Sequence, residues 1–526
     1  MRISQEVNSL TRENIMGQDL LLGIDIGTYE SKGVLTTPQG KVIAQATIAH
    51  KLLFPRAGWA EHDPELTWWG DFCNLSKQLL ETEGVSPSDI KGVGVSAIGP
   101  DVLPIDENFN PLRMGILYGV DTRAVEEIDE LNAIYGEDTI FNATANTLSS
   151  QSTGPKILWI KKNEPEIYKK ARWFVDATTF IVARLTSRVV VDHFSAGTMV
   201  PMYDPWKNQW SDKYCKEILD INQLPELMWS HELAGHIIES ASKATGLAVG
   251  TPVSVGTIDA GAEALSVSVT KPGELMMMYG STIFMIQVTD NDQAREKRLW
   301  AGPYLFPGTW CLLAGMATSG SLTRWFKDTF AKELVAAEEA GGENAYAELV
   351  KEAAATPPGA EGVVVLPYFS GERTPVMDPR AKGMIFGLSL THTRGHIFRS
   401  ILEGMGHGFK QHVDLFTAIG ARPHAIKSVG GGTKNSVWLQ AVSDISGVPQ
   451  EVAPLTFGAS YGDALLAGVA VGLVASPEEI RVWQGKPTIV EPNPTLAATY
   501  APLSEIYTNL YQSTKESMHK LHEMGY

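Results

Sequence analysis

The chain is 526 residues long with 44% hydrophobic and 20% charged residues, a globular composition large enough for several domains without covalent staples. Its formal net charge of −17, from 43 basic and 60 acidic side chains, is relieved by no Lys/Arg-rich run, which argues against nucleic acid or an anionic membrane surface as partner. The three cysteines (Cys73, Cys215 and Cys311) are widely separated and form no CxxC or zinc spacing, so reduced thiols in a cytoplasm are expected.

In chain order, residues 1–18, "MRISQEVNSLTRENIMGQ", lack the apolar centre of a signal peptide and read as a loose extension. No apolar run is long enough to predict a membrane span. From Leu20, "LLLGIDIG", "SKGVLTT" and "VIAQATIAH" read as antiparallel strands joined by Gly turns. "ELTWWGDFCNLSKQLLET" carries apolar residues at helical spacing after an "HDP" start, and "IKGVGVSAIGP" reads as a buried strand ending in a loop. Such alternation predicts an α/β fold.

Near "GTPVSVGTIDAGAEAL" the style begins again, with a strand running into Asp259, a short helix, and the hairpin "ELMMMYGSTIFMIQV". This faint echo of residues 20–48 suggests two related sheet units, 19–262 and 263–526. Within the second, "AKELVAAEEAGGENAYAELVKEAAATPPGAEG" predicts a peripheral helical pair. "HIFRSILEGMGHGFKQHVDLF" predicts a long helix, "AIKSVGGGTKN" a strand and "GASYGDALLAGVAVG" a further helix.

Four stretches could carry chemistry. Asp25 interrupts an apolar strand, where an uncompensated buried carboxylate costs several kcal/mol. Gly27 and Thr28 after it form a turn able to cradle phosphate oxygens, with Asp25 on Mg²⁺ and Lys32 as a nearby positive charge. Read alone, such a turn is more often a plain hairpin. Gly430, Gly431 and Gly432 at a strand end let a ligand approach the backbone, and the Asn435 amide could read a base or ribose edge. Ser281 and Thr282 offer a second phosphate turn, or an ordinary hairpin. Asp259 at a strand end suits a general base toward a hydroxyl, and equally a helix cap.

Several motifs are excluded. No GxxxxGK[ST] occurs, and "GVGVSA" at Gly92 runs into Pro100 instead of a helix. His392 and His396, like His407 and His412, lack a third ligand and read as structural.

Together these pieces resemble the FGGY carbohydrate kinase family from about Leu20 onward. The most specific segment is "GMIFGLSLTHTRGHIFRSILE", whose Gly383, Gly387, His396, Ser400 and Glu403 fall at the spacings of the family signature. "YFSGERTPVMDPRAKG" and "GGGTKNSVWLQAVSDISGVP" flank it in the family order. The resemblance implies two actin/hexokinase-like (ribonuclease H-like) domains with a catalytic cleft between them, closing to exclude water, and allows a homodimer. ATP and Mg²⁺ are the implied cofactors, and a small sugar or polyol the substrate.

Carried over position by position, the resemblance places Asp25, Gly27 and Thr28 in a first phosphate loop and Ser281 with Thr282 in a second. Gly320 and Arg324 would line the nucleotide, Gly431 and Asn435 the adenosine, and Asp259 would deprotonate the attacking hydroxyl. "TLSSQSTGPKILWIKKNEPEIYKKA", with Gln151, Lys156 and Trp159, looks most like the xylulokinase branch. The sugar loop departs from that branch. Ile98, Gly99, Pro100 and Asp101 stand where its members carry Gln-Met-His-Gly, and Gly119 stands where a Trp is usual before Asp121 and Arg123. Asp101, Asp121 and Gln151 are therefore the expected sugar contacts, and a pentulose or related polyol the expected substrate. The alternatives are a kinase for a tetritol, a sugar acid or a signalling furanone, or a non-catalytic sensor of the same superfamily.

Overall fold

The structure, a computed structural model, describes residues 17–526, so the extension expected over 1–18 lies almost wholly outside the described residues. The chain forms two compact units. It does not divide once near residue 262: the first unit runs through Thr270 and takes in Ala301–Trp310 and Leu455–Gly485, and the second holds Lys271–Trp300, Cys311–Pro454 and Lys486–Tyr526.

In the first unit, β1 (Leu20–Ile26) is buried along its whole length because it lies inside a sheet. It pairs antiparallel with β2 (Glu30–Thr36) and parallel with β4 (Ile90–Ala97), while β3 (Val42–Ala49) lies beyond β2. On the other side of β4 come β6 (Pro252–Ser254) and β5 (Leu233–His236), and the short β7 (Thr257–Ile258) also pairs with β4. A continuous apolar run such as "LLLGIDI" is the pattern of a strand covered on both faces.

Successive side chains alternate between faces, and the two faces are covered differently. On one, Ile24 and Gly33 meet Leu75 and Leu79 of the helix Gly70–Leu80. On the other, the helix Ala459–Ala470 sits directly on glycines. A Cβ on Gly23 would fall 1.9 Å from Ser460 O, and one on Gly94 1.9 Å from Asp463 O. The helix answers with Gly462, where a Cβ would lie 2.2 Å from Ala262 O. The glycines of "GVGVSA" thus serve helix-on-sheet packing, which the exclusion of a dinucleotide motif had left without a purpose.

The second unit repeats the opening. β8 (Glu274–Tyr279) pairs antiparallel with β9 (Ile283–Thr289) and parallel with β11 (Ala425–Val429). β10 (Trp310–Met316) borders β9, and β12 (Gln450–Val452) and β13 (Thr488–Val490) extend the sheet beyond β11. The echo read in the sequence is therefore real: each unit begins with a hairpin whose first strand is joined in parallel by a later one.

The long helix spans Arg394–Ala418. Its signature residues build the fold: buried Glu403 accepts from Arg399 Nε (2.7 Å), Gly359 N (3.0 Å) and Tyr500 Oη (2.9 Å). His407 and His412 are buried, held neutral with pKa values pushed down to about 3 and about 4 by burial, and bonded to Ser504 and Thr374. Among the described residues no helix is long and apolar enough to cross a membrane.

Candidate active site

The register of the first sheet brings two carboxylates to one edge. Asp25 stands level with Ser96 of β4, and Ile258 level with Ala97, so Asp259 follows at the carboxyl end of the neighbouring parallel strand. β1 and β7 flank β4, which separates their backbones by about two strand spacings, roughly 10 Å. Carboxyl ends of parallel strands are where open α/β sheets take their ligands.

Asp25 is buried, and its Oδ1 lies 3.1 Å from the Ser96 hydroxyl. Burial and the nearby Glu263 charge push its pKa up to about 7, against the Ser96 hydrogen bond and Lys32. Asp259, partly buried, accepts its neighbour's amide, Ala260 N, at 2.7 Å. Burial, then the Asp25 charge, hold it well above the usual carboxylate range. Glu263, one turn further along the same helix Asp259–Ser266, is raised by burial, with Lys32 opposing. Lys32 itself forms a 2.6 Å ion pair with Glu30. Its pKa is raised: burial alone would lower it, and the Glu30 contact and the Asp25 and Glu263 charges outweigh that.

The Gly27–Thr28 turn closes through Gly27 N donating to Glu30 O (3.1 Å), and a Cβ on Gly27 would strike that carbonyl at 2.9 Å. The same position is 3.9 Å from Asp25 Oδ2, the oxygen Ser96 leaves free.

The loop Ile98–Asp101, expected to contact the sugar, lies at the same edge. Ile98 N donates to Ile26 O at 2.7 Å, and a Cβ on Gly99 would meet Ile258 Cγ1 at 2.7 Å, so Ile98–Asp101 abuts the ends of both β1 and β7. Asp101 is 1% exposed and neither carboxyl oxygen has a hydrogen-bond partner. Burial and the Asp176 charge raise its pKa well above the usual range, with Lys156 opposing. Asp121 is arranged otherwise. Its oxygens accept from Ala60 N, from Arg123 N and from the Arg123 guanidinium, which accounts for the lone pairs a carboxylate has. It anchors Arg123 over the Trp59 ring, 4.0 Å away, and has no free oxygen for a sugar. Gln151 accepts from Gly119 N at 3.0 Å, leaving its own N–H groups available. A Cβ on Gly119 would fall 2.6 Å from Gln151 Nε2, so this glycine and this glutamine require each other.

In the second unit the expected nucleotide residues come together. Gly320 N donates to Gly280 O (3.0 Å), and Ser319 N and Ser321 N both donate to Ser281 O (3.1 Å each), pinning the exposed Ser281–Thr282 turn to the start of the helix Gly320–Phe330. Gly430 has φ +98°, and a Cβ there would lie 2.8 Å from Tyr279 O, which brings the triple glycine beside the same turn. Gly431 faces open space. Asn435 caps the helix Ser436–Ser446, its Oδ1 accepting from Trp438 N at 3.0 Å, so only its N–H groups remain for a base. Arg324 is exposed.

Ser96, Glu263 and Asp463 belong to the first site and were not singled out from the sequence. The argument that marks Asp25, a carboxylate inside an apolar run, applies equally to Asp463 in "YGDALLAG". Among the described residues no group of three or more His, Cys, Asp or Glu is arranged to hold a metal ion. A Mg²⁺ arriving on phosphates needs only one or two carboxylates, however, and Asp25, whose charge is opposed by those of Glu263 and Asp259, fits that demand.

Residues 20–266 match the profile of the FGGY family of carbohydrate kinases, N-terminal domain, and residues 275–471 that of its C-terminal domain. The chain is 30% identical to a xylulose kinase of Escherichia coli, covering 94% of this chain and 99% of the relative. It is 27% identical to a xylulose kinase of Bacillus subtilis, covering 94% and 97%. The crystal structure of xylulose kinase from Rhodospirillum rubrum superposes with a TM-score of 0.87 at 28% identity, over 95% of this chain and all of that one. The chain belongs to the FGGY family of carbohydrate kinases.

Proposed function

We propose that the protein transfers the terminal phosphoryl group of ATP to a hydroxyl of a pentulose such as xylulose, or of a closely related neutral polyol. The observation that carries this is the placement of Asp25 and Asp259 at the carboxyl ends of the two parallel strands that flank β4, inside a chain of this family. Asp259 takes the proton of the acceptor hydroxyl as its oxygen bonds to the terminal phosphorus; the bond to the bridging oxygen breaks and ADP leaves. A base works best with a pKa near the working pH, and burial moves Asp259 in that direction.

Phosphoryl transfer asks the protein for positioning and charge neutralisation more than for covalent chemistry. Asp25 would hold Mg²⁺, which when bound neutralises charge on the phosphate oxygens. The Gly27–Thr28 and Ser281–Thr282 turns offer backbone amides to those oxygens, and Gly430–Gly432 the open backbone beside the nucleotide. Asp101 and Gln151 offer polar atoms to the sugar hydroxyls.

The test is ADP release with Mg-ATP across pentuloses, pentitols, tetritols, glycerol and sugar acids, with Asp259→Ala as the blank. One strong, Asp259-dependent pentulose signal is expected. Near-normal turnover by Asp259→Ala would sink the base assignment, and a sugar acid as best substrate would overturn the substrate class.

A further inference from the structure

Two imidazoles stand behind the Gly27–Thr28 turn, one on each carbonyl. His50 Nε2 lies 3.0 Å from Gly27 O and His62 Nε2 lies 3.1 Å from Thr28 O, and the rings meet edge to face with centroids 5.1 Å apart. Their protons follow from their other neighbours. The Trp68 indole can only donate, and it donates to His62 Nδ1 at 3.1 Å, so His62 carries its hydrogen on Nε2 and gives it to Thr28 O. Burial, then the nearby His50, push the His62 pKa down to about 4, which keeps that tautomer neutral. His50 Nδ1 is 2.9 Å from Asp71 Oδ2, which also accepts from Ser31 Oγ at 2.7 Å. Both His50 nitrogens therefore face acceptors, Nδ1 toward the Asp71 carboxyl and Nε2 toward Gly27 O.

A planar trans peptide points its C=O and its N–H in opposite directions. Fixing Gly27 O and Thr28 O on the imidazole side turns the amides of Thr28 and Tyr29 to the other side. Among the described residues neither of those amides donates to any group. Two adjacent unpaired N–H groups in a turn make an anion-binding concavity.

We infer that His50 and His62 are positioning residues for phosphoryl transfer, orienting the peptides of this turn so that the Thr28 and Tyr29 amides both receive phosphate oxygens. The inference rests on the kinase reading above and adds to it the Tyr29 amide and the pair of histidines.

The experiment measures calorimetric binding of the β,γ-imido analogue of ATP with Mg²⁺, KM for the sugar, and melting temperature. The proteins are wild type, His50→Leu, His62→Leu, His50→Gln and His62→Gln. Each leucine removes a donor to a carbonyl; glutamine keeps an N–H in reach. The leucine variants should bind the analogue roughly tenfold more weakly, at unchanged sugar KM, and glutamine should restore affinity to within about threefold. If a leucine variant does not fold, His62→Asn, whose amide stops short of Thr28 O, replaces it. Leucine variants that bind like wild type overturn the inference, as does glutamine performing no better than leucine while sugar KM and melting temperature fall away together. Wild type that binds no nucleotide overturns the kinase reading itself, and this inference with it.

Discussion

Asp463 lies 367 residues from Ser96 in the chain, yet its Oδ2 sits 2.7 Å from the Ser96 hydroxyl. That hydroxyl is also 3.1 Å from Asp25 Oδ1, and it has one hydrogen for two carboxyl groups. Asp463 is 0% exposed with its Oδ1 unpartnered, and burial followed by the Asp25 charge raises its pKa well above the usual range. The consistent arrangement has Asp463 protonated and donating to Ser96, whose own hydrogen goes to Asp25.

Asp463→Asn keeps that donor without the ionisation. A carboxyl whose folded pKa lies above its ordinary 3.8 contributes fully below that value and loses the contribution as pH rises toward the folded one. Asp463→Asn should therefore gain melting temperature over wild type at pH 8, with a smaller gain at pH 5. Equal gains at both would show that Asp463 is ionised in the fold.

Asp101 invites the opposite trade. Replacing a buried polar group that has no partner by an apolar one of similar size is neutral to stabilising. Asp101→Leu should melt at or above the wild-type temperature while KM for the sugar rises roughly tenfold or more, since a site that hydrogen-bonds a hydroxyl depends on that bond. A loss of stability with sugar KM intact would make Asp101 a structural residue.

Lys156 is 1% exposed, and its Nζ donates to Tyr118 O (3.0 Å) and Leu117 O. Burial lowers its pKa to about 7, against the Asp121 and Asp101 charges. Between that value and the ordinary 10.5 the unfolded chain binds more protons, so this group adds stability as pH climbs. The melting temperature of Lys156→Met relative to wild type should fall between pH 7 and pH 9. A constant difference would place the lysine in an ordinary, charged state.

Adjacent glycines separate fold from function. Gly430→Ala forces a side chain at φ +98° and 2.8 Å from Tyr279 O, at a cost of about 1–3 kcal/mol visible in urea unfolding. Gly431→Ala meets nothing within 4 Å, so its stability should stay within about 0.5 kcal/mol of wild type. Its affinity for Mg-ADP should drop several-fold if the nucleotide lies against that backbone; unchanged affinity would move the nucleotide elsewhere.

Local pattern made much of this legible. Asp25 in its strand, Asp259 at a strand end, and the Ser281 and Gly430 turns are each written in a few consecutive residues, and the repeated hairpin showed as an echo in the chain. What stayed hidden was set by distance. Ser96 has no meaning until Asp463 reaches it, and His50 and His62 point at the turn only once β3 and the segment after it fold back on β1. The engagement of Asn435 as a helix cap and of Asp121 as an arginine anchor was equally invisible, since both are set by the folded neighbours and not by residue type. Gly119 looked like a lost tryptophan and is the space that Gln151 fills.

The seating of Ala459–Ala470 on Gly23 and Gly94 bears on how the protein is made. During synthesis the strands of the first unit leave the ribosome long before the helix that covers one of their faces. A chain stopped after Thr270 would carry Asp25, Ser96 and Asp259 with that face of the sheet bare to water. Nascent chains in this interval are the species a chaperone would meet, and a premature stop anywhere before residue 459 should yield aggregates in place of a working first half.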